Sequence, residues 1–453
     1  MESLRDADQS RVDEAVTALA WAIYQPDHAR ELAELAVEDT GLGNVPDKIT
    51  KNQRKTFGTL RDLMRVRTVG VIEDDPAHGI IKYAKPVGVV AAVVPSTNPA
   101  ATAVNKAMMA VKGRNAVVVA PSPAGYTTTS RTVQLMREGL ETIGLPADLV
   151  QLLPTPIDKA ATQALMETAD LVVVTGSQDN VRRAYRSGTP AIGVGTGNVP
   201  VIIDISADLE DAARKICSSK TFDNATSCSS ENCVIIPETI FDRAMQALEQ
   251  EGGYRCTAED KERVRGALWP QGRLSGELIA KDADVFAERV GLPPAARAAK
   301  FFLVEEDGVG RGYPFSCEKL SLVLTVYKVS DFESAIATAE AVLAHQGRGH
   351  SCGIHTREPA HAAQLAERLD VVRVLVNQAH SFGNGGSFDN GLNFTLSMGC
   401  GTWAGNSISE NLSYRHFINV TYLSTTIPED RPSEEDLFRA YWDKYGGRPG
   451  SSD

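Results

Sequence analysis

Residues 87–99 read Val-Gly-Val-Val-Ala-Ala-Val-Val-Pro-Ser-Thr-Asn-Pro, an apolar run that ends in a loop of small and polar residues. The run has the length of a strand and shows no alternation of polar and apolar positions, which is typical of a strand buried on both faces. The residues that follow Pro99 predict a helix through Met109. A buried strand followed by a helix is the repeating unit of a parallel sheet covered by helices on both sides.

The same alternation continues through residue 175. Further elements are predicted as strands at Ala116–Ala120, Leu149–Leu153 and Ala169–Thr175 and as a helix at Tyr126–Ile143. Ligands bind at the carboxyl ends of the strands in such sheets. The loops that follow three of these strands, Pro95–Pro99, Pro121–Gly125 and Thr175–Ser177, are therefore candidate binding loops.

A second α/β lobe is predicted beyond residue 217. Its strands are expected at Val234–Ile236, Phe301–Val304, Leu322–Tyr327, Cys352–His355 and Val371–Val376. Two segments, the hairpin Thr68–Lys85 and the chain from Tyr414 onward, have no covering layer of their own. We expect them to pair across a subunit boundary, which gives a homodimer or a homotetramer.

The composition excludes several classes of partner. The chain has 453 residues, with 46 Lys and Arg against 58 Asp and Glu and a net charge of −12. This charge repels nucleic acid and anionic lipid, so an anionic ligand needs a locally basic pocket. The longest apolar run is too short to span a membrane, and the N-terminus carries no apolar signal core. Seven cysteines without the spacing of a disulfide framework favour reduced thiols in a cytoplasmic enzyme.

One of these cysteines lies in the densest polar segment of the chain. Residues 220–236 read Lys-Thr-Phe-Asp-Asn-Ala-Thr-Ser-Cys-Ser-Ser-Glu-Asn-Cys-Val-Ile-Ile. Cys228 precedes a predicted strand in a loop whose hydroxyls and backbone N–H groups can stabilise a thiolate and then an oxyanion. It is either a nucleophile or a half-buried free thiol. Cys233 enters the apolar run and is expected in the core. A zinc site formed by Cys228 and Cys233 is not expected, because no second pair of Cys or His residues follows at the spacing that zinc requires.

Three further segments carry candidate groups. Residues 345–355 hold three histidines and a cysteine, but their spacing suits neither a helix face nor a strand face, so no metal site is expected. His350 is the candidate general base or substrate-orienting histidine there, or else a loop histidine bonded to the backbone. Gly193–Asn198 is rich in glycine without the dinucleotide spacing. Asn98 is either a turn former or an amide donor to a cleft.

Taken in order, these segments resemble the aldehyde dehydrogenase superfamily, and within it the coenzyme-A-acylating branch. The resemblance covers nearly the whole chain and rests on motifs in order: Lys85–Val90, Val94–Ala100, Val174–Ser177, Gly193–Pro200, Phe222–Glu231, Glu318–Ser321, Gly349–Ser351 and Met398–Asn411. It implies an NAD(P)-binding domain, a catalytic thiol domain and an oligomerisation arm. These are expected at residues 1–65 with 86–217, at 218–412, and at 66–85 with 413–453.

The resemblance also implies a role for individual residues. Cys228 is the expected nucleophile, and the Asn98 amide stabilises the oxyanion. His350 occupies the place of the branch's histidine. The remaining residues are expected at the cofactor: Gly176 and Ser177 at the pyrophosphate, Glu318 at the nicotinamide ribose, Gly195 in the glycine segment, and Ser122 at the adenosine ribose.

The glycine segment separates two reactions within the superfamily. Hydrolytic members carry a Glu there that activates water, whereas this chain reads Gly195-Thr-Gly-Asn198. The resemblance therefore implies that the thioester on Cys228 waits for a second thiol, that of coenzyme A. The rival interpretations are a hydrolytic dehydrogenase and a thiol redox sensor or scaffold on the same fold.

Cofactor and substrate are predicted less directly. The loop Pro121–Gly125 has no carboxylate to repel a 2′-phosphate, so NADP is permitted beside NAD and weakly preferred. Asp39–Val45 and Phe222–Glu231 resemble branch members that act on a small sulfonated aldehyde; acetaldehyde and succinate semialdehyde are the alternatives. Arg348 and Arg415 are candidate partners of such an anion, as are the backbone N–H groups of Gly383–Gly386.

Overall fold

The computed structural model describes residues 2–447, which fold into helices around three β-sheets. The strands are β1 Gly70–Asp75, β2 Ile80–Pro86, β3 Val89–Val93, β4 Ala116–Ala120, β5 Val150–Leu152, β6 Leu171–Val174, β7 Ala191–Gly193, β8 Val199–Ile203, β9 Glu231–Pro237, β10 Gly253–Arg255, β11 Phe301–Glu305, β12 Val323–Val329, β13 Gly349–His355, β14 Val371–Val376 and β15 Ile418–Ser424.

The helices alternate with these strands over most of the chain. They are α1 Glu2–Arg5, α2 Gln9–Tyr24, α3 Pro26–Thr40, α4 Val45–Met64, α5 Pro99–Lys112, α6 Tyr126–Thr142, α7 Lys159–Thr168, α8 Gln178–Arg186, α9 Leu209–Thr221, α10 Phe241–Gln250, α11 Ala258–Leu268, α12 Ala283–Val290, α13 Phe332–His345, α14 Pro359–Arg368, α15 His380–Gly383 and α16 Glu434–Tyr445.

The first lobe is built on a parallel five-stranded sheet in the order β5-β4-β3-β6-β7. The central strand β3 is buried on both faces, as its continuous apolar sequence predicts. Val90 packs into one cluster with helices α2 and α5, while Ala91 and Val93 pack into a second cluster on the opposite face. The carboxyl ends of β3, β4 and β6 therefore open at the same edge.

The second lobe is built on a parallel seven-stranded sheet in the order β10-β11-β12-β9-β8-β13-β14. Strand β8 lies inside this sheet, between β9 and β13, although we expected residues up to 217 in the first lobe. The difference has a simple cause. Val199–Ile203 is as apolar as the strands of either lobe, and a strand buried on both faces does not indicate which sheet it joins.

The hairpin β1–β2 and strand β15 form the third sheet. β15 pairs antiparallel with β2 within the same chain, from Ile418 opposite Pro86 to Ser424 opposite Ile80. The two segments thus pair with each other within the chain, and their pairing across a subunit boundary stays a prediction. Tyr422 and Leu423 stay exposed on this sheet, as do several apolar side chains of α16. Residues 448–453, the end of the predicted tail, lie outside the described residues.

Within residues 2–447, no helix has the length and apolarity required to cross a membrane. The same residues hold no cluster of three or more His, Cys, Asp or Glu side chains arranged for a metal ion. All seven cysteines are free thiols.

Candidate active site

A cavity of about 580 Å³ lies between the two lobes, at the carboxyl edge of the five-stranded sheet. Segments distant in the sequence meet there, because the loops after β3, β4 and β6 face the loop that precedes β9. The residues that line it include seven of the predicted site residues: Asn98, Ser122, Gly176, Ser177, Gly195, Cys228 and Glu318.

Cys228 lies at the end of a loop with unusual backbone geometry. Asp223, Asn224 and Ala225 adopt left-handed conformations, with φ of 50°, 52° and 59°. Each such residue costs about 1–2 kcal/mol when it carries a side chain. Three in succession persist only where tertiary contacts hold them, so the position of Cys228 depends on the contacts of this loop.

Those contacts converge on the buried carboxylate of Asp223. Its Oδ2 accepts from Lys51 Nζ at 2.5 Å and Lys48 Nζ at 3.1 Å, both on α4, and from Thr226 Oγ1 at 2.6 Å. Burial alone would raise the pKa of this carboxyl, but Lys51 and Lys48 more than offset it and hold the pKa below its usual value. Helix α4 and the cysteine loop are thus joined by a buried ionic group.

Lys51 also determines the orientation of Asn98. Its Nζ donates to Asn98 Oδ1 at 2.8 Å. Because an ammonium group has only donors, the amide atom it approaches must be the oxygen, and the NH₂ group must point the other way. The NH₂ group, which contacts Thr97 Oγ1 at 3.4 Å, has a second hydrogen that can serve as the donor an oxyanion requires, and Asn98 lines the same cavity as Cys228.

Burial controls the protonation of both acidic groups in the cavity. It raises the pKa of the Cys228 thiol to about 12, with further contributions from Glu318 and Cys400. It also raises the pKa of Glu318 to about 8, although Lys319 and Lys220 oppose the shift. At neutral pH both groups are therefore mainly protonated.

The glycine segment packs directly against the thiol. A Cβ placed on Gly197 would lie 2.6 Å from Cys228 Cβ and 2.8 Å from Glu318 Oε1. Only glycine permits this approach. Residues 195–198 contain no Asp or Glu. Among the described residues that line the cavity, Glu318 is the single carboxylic acid.

The opposite end of the cavity suits a dinucleotide. Gly176 follows β6 with φ of 141° and presents no side chain. Ser177 caps the N-terminus of α8, where its side chain accepts from Asn180 N at 3.3 Å. The N-terminus of a helix carries free N–H groups and a partial positive charge, which fit a pyrophosphate.

His350 lies behind the cavity wall. Its ring is buried and contacts Ser351 Oγ at 2.8 Å, while its Nε2 is buried without a hydrogen-bond partner in the described residues. Burial first, and then the charges of Arg373 and His380, hold its pKa well below 6.5, so the ring is neutral. It does not line the cavity that holds Cys228.

Neither predicted substrate arginine lies in the cavity. Arg348 is 56% exposed and forms an ion pair with Asp370 at 2.5 Å on the surface. Arg415 is exposed in the short helix before β15, beside the Tyr414 ring. The charge of each arginine suggested a partner for an anion, but neither side chain lines the cavity between the lobes.

The basic groups of the cavity come instead from α4. Lys51, Arg54 and Lys55 line it, and sequence analysis did not single them out. A signal was present: Lys48, Lys51 and Lys55 recur at intervals of three and four, so they share one helix face. That face is buried against the second lobe, which the sequence of α4 alone does not show.

Comparisons with known proteins indicate the family of this chain. The model of the aldehyde dehydrogenase family matches residues 5–260. The chain is 53% identical to the sulfoacetaldehyde dehydrogenase (acylating) of Cupriavidus necator, over 97% of this chain and 90% of that protein. It belongs to the aldehyde dehydrogenase family. A second relative of the same name from Bilophila wadsworthia is 44% identical, over 98% of this chain and 96% of that protein.

Solved structures of the aldehyde dehydrogenase family show the same fold. An acetylating aldehyde dehydrogenase from Geobacillus thermoglucosidasius superimposes with a TM-score of 0.91 at 36% identity, over 95% of each chain. The two-lobed α/β fold that the sequence predicts is thereby confirmed.

Proposed function

We propose that this chain is a coenzyme-A-acylating aldehyde dehydrogenase that converts a small sulfonated aldehyde, of which sulfoacetaldehyde is the expected example, into its acyl-CoA with NAD(P)+. The observation that carries the proposal is the contact of Gly197 with Cys228 and Glu318. It leaves the thiol without a carboxylate from the glycine segment, and similarity to acylating relatives supports the same reaction.

The first half of the reaction uses Cys228 and Asn98. Deprotonated Cys228 attacks the aldehyde carbonyl, and a C–S bond forms as the carbonyl oxygen becomes an oxyanion. Asn98 Nδ2 and the Cys228 backbone N–H donate to that oxygen. A nicotinamide bound there would accept the hydride of the carbonyl carbon, and a thioester would then remain on Cys228.

The second half requires a thiol. The thiolate of coenzyme A attacks the thioester carbonyl, and the acyl group passes to coenzyme A as Cys228 leaves as a thiolate. The sum is aldehyde, coenzyme A and NAD(P)+ to acyl-CoA, NAD(P)H and one proton. His350 is proposed to move protons in this half, since its ring is neutral and its Nε2 has no partner in the described residues.

NADP is proposed as the preferred cofactor. Ser122 caps a short helix by accepting from Gly125 N at 3.2 Å, so its hydroxyl hydrogen stays free to donate to a ligand. The loop Pro121–Gly125 carries no carboxylate that would repel a 2′-phosphate. The other cofactor residues are Gly176, Ser177, Gly195 and Glu318, in the roles given above.

A cytoplasmic homo-oligomer is also proposed. The seven free thiols suit a reducing compartment. Tyr422 and Leu423 of the third sheet and Phe438 and Tyr441 of α16 are exposed apolar side chains, which contact with a second copy would cover. Light scattering at micromolar concentration tests this directly; a monomer contradicts it.

A panel of aldehydes and cofactors tests the reaction class. Sulfoacetaldehyde, acetaldehyde and succinate semialdehyde are each supplied with NAD+ or NADP+, with and without coenzyme A. The proposal predicts NAD(P)H formation that depends on coenzyme A, with the highest kcat/KM for sulfoacetaldehyde. Full rates without coenzyme A indicate a hydrolytic enzyme in which Glu318, whose pKa is about 8, serves water. No turnover with any aldehyde indicates a sensor or scaffold.

A further inference from the structure

Two cations on the second half of α4 face the cavity without an acidic partner. Arg54 and Lys55 both line it. Lys55 Nζ donates to the Gly385 carbonyl oxygen at 2.8 Å, and Arg54 Nη2 donates to Ser387 Oγ at 2.7 Å. These partners are neutral, and within the described residues no carboxylate oxygen lies within 4.0 Å of either side chain.

The Arg54 side chain has one donor atom that lacks a hydrogen-bond partner. Its Nε is buried and has no hydrogen-bond partner in the described residues. The carboxylate whose charge acts on it most is that of Asp389, which is exposed and accepts a hydrogen bond from Ser387. A buried donor without an acceptor is costly, and the cost is recovered when a ligand supplies the acceptor.

Other groups of the cavity do not neutralise this pair. Asp223 pairs with both Lys48 and Lys51, and the Asp47 carboxylate also acts on Lys48, so these two carboxylates are already matched by two lysines and do not balance Arg54 and Lys55. Cys228 and Glu318 are mainly protonated at neutral pH because burial raises the pKa of each. The cavity is therefore positively charged in a protein of net charge −12.

The surroundings of the pair hold it in place before a ligand arrives. The Arg54 guanidinium lies 5.5 Å from the centre of the Phe382 ring and 5.2 Å from that of Phe388. The Lys55 ammonium lies 5.4 Å from the centre of the Phe394 ring. Side chains fixed by packing lose little entropy on binding, which favours a ligand with a fixed anionic group.

We propose that Arg54 and Lys55 bind the anionic end of the aldehyde and thereby select a sulfonated substrate over a neutral one. The assignment rests on the proposed function and deepens it. Lys51, which holds Asn98, is one turn from Lys55 on the same helix, about 5–6 Å along its axis. A two-carbon aldehyde whose carbonyl oxygen meets Asn98 can therefore place its second carbon and sulfonate towards Lys55 and Arg54.

The neighbours of the pair distinguish this site from the phosphate sites. Arg54 and Lys55 contact residues 382–394 of the second lobe. A dinucleotide is expected instead at the strand ends of the five-stranded sheet, at Ser122, Gly176 and Ser177. The cation pair is therefore separate from the expected dinucleotide phosphate sites.

Substitution of the pair tests the proposal with two aldehydes. In Arg54→Gln and Lys55→Met, kcat/KM for sulfoacetaldehyde should fall at least about 30-fold, mostly through KM, while kcat/KM for acetaldehyde changes less than about threefold. Lys55→Arg should retain most of the preference. Arg348→Gln removes an arginine outside the cavity and serves as the matched control.

An inhibitor gives a readout that needs no turnover of the anion. 2-Hydroxyethanesulfonate should compete with the aldehyde in the parent enzyme, and its inhibition constant should rise at least about tenfold in Arg54→Gln while ethanol stays ineffective. Unchanged inhibition, or equal losses with sulfoacetaldehyde and acetaldehyde, overturns the assignment. If the parent enzyme prefers succinate semialdehyde to sulfoacetaldehyde, the site binds a carboxylate, and the assignment of a sulfonate site is likewise overturned.

These outcomes are separable from failure of the proposed function. If the parent enzyme oxidises no aldehyde with coenzyme A, the reaction class is wrong. If it prefers sulfoacetaldehyde and both variants keep that preference, the reaction stands and only the role of Arg54 and Lys55 is wrong. Thermal unfolding of each variant identifies any that fails to fold, and the Lys55→Arg protein then supplies the decisive comparison.

Discussion

The two halves of α4 carry the same kind of residue in different electrostatic settings. Lys48 and Lys51 point to one buried carboxylate, Asp223, and join the helix to the cysteine loop. Arg54 and Lys55, one turn further on, contact only neutral groups. The first two lysines are thus held in the scaffold by Asp223, whereas Arg54 and Lys55 line the cavity without a carboxylate partner.

The largest effect is expected from removing the carboxylate of the first half. Asp223→Ala leaves Lys48 and Lys51 buried without a counter-ion, so the free energy of unfolding should fall by about 3–5 kcal/mol. Urea denaturation measures it. Asp389→Ala is the matched control, since that carboxylate is exposed and acts on Arg54 only at a distance; it should change stability by less than about 0.5 kcal/mol. If Asp223→Ala and Asp389→Ala lowered the free energy of unfolding equally, the proposed difference between the two pairs of cations on α4 would be wrong.

The next effect separates Lys51 from the ligand-binding pair. Lys51→Met frees the Asn98 amide to rotate, so kcat should fall about 100-fold for sulfoacetaldehyde and acetaldehyde alike, as when an oxyanion donor is lost. Lys48→Met, which removes a cation that does not contact Asn98, is the control and should retain more activity. A loss confined to the sulfonated aldehyde would place Lys51 with Arg54 and Lys55 instead.

A pH profile sharpens the comparison without substitution. Burial, then the charges of Arg54 and Lys51, lower the pKa of Lys55 to about 7, while Cys228 opposes the shift. Lys55 is charged below that pH and loses its charge as pH rises. The ratio of kcat/KM for sulfoacetaldehyde to that for acetaldehyde should therefore fall above pH 7, by up to about tenfold per pH unit. Taking the ratio cancels the titration of Cys228. Lys55→Arg should remove the part of the decline that Lys55 causes, and any decline that remains above pH 8 reports the charge of Glu318, which repels the sulfonate.

The smallest effect is expected at the surface. Arg348→Gln breaks an exposed ion pair with Asp370, so the free energy of unfolding should change by less than about 1 kcal/mol and KM for the sulfonated aldehyde should not change. A rise in KM confined to that aldehyde would return Arg348 to the substrate site.

Much of the first lobe could be predicted from the sequence. Continuous apolar runs located β3, β4 and β6, and the small polar loops that follow them lie at one edge and line the cavity. Asn98 lies in the loop after β3 and Cys228 in the loop before β9, and both loops line the cavity. Catalytic residues are commonly found in such loops, so both residues could be selected from the sequence. Glu318 reaches the cavity from the second lobe.

The remainder depends on contacts between lobes, which leave little trace in a local pattern. Strand β8 gives no sign of the sheet it joins. The row of cations on α4 resembles a solvated helix face, and only the contact with residues 382–394 shows that it is buried. Arg348 is a candidate by its charge, yet its side chain is exposed and pairs with Asp370 at the surface.

The three left-handed residues before Cys228 have a consequence for protein engineering. The cysteine loop cannot be transferred to another protein by itself, because its conformation depends on the ion pairs of Asp223 with two lysines of α4. Exchanging residues 222–228 between relatives would carry the thiol without its support. Chimeras should instead exchange α4 and the loop together, as one cassette whose two pieces are about 175 residues apart in the chain.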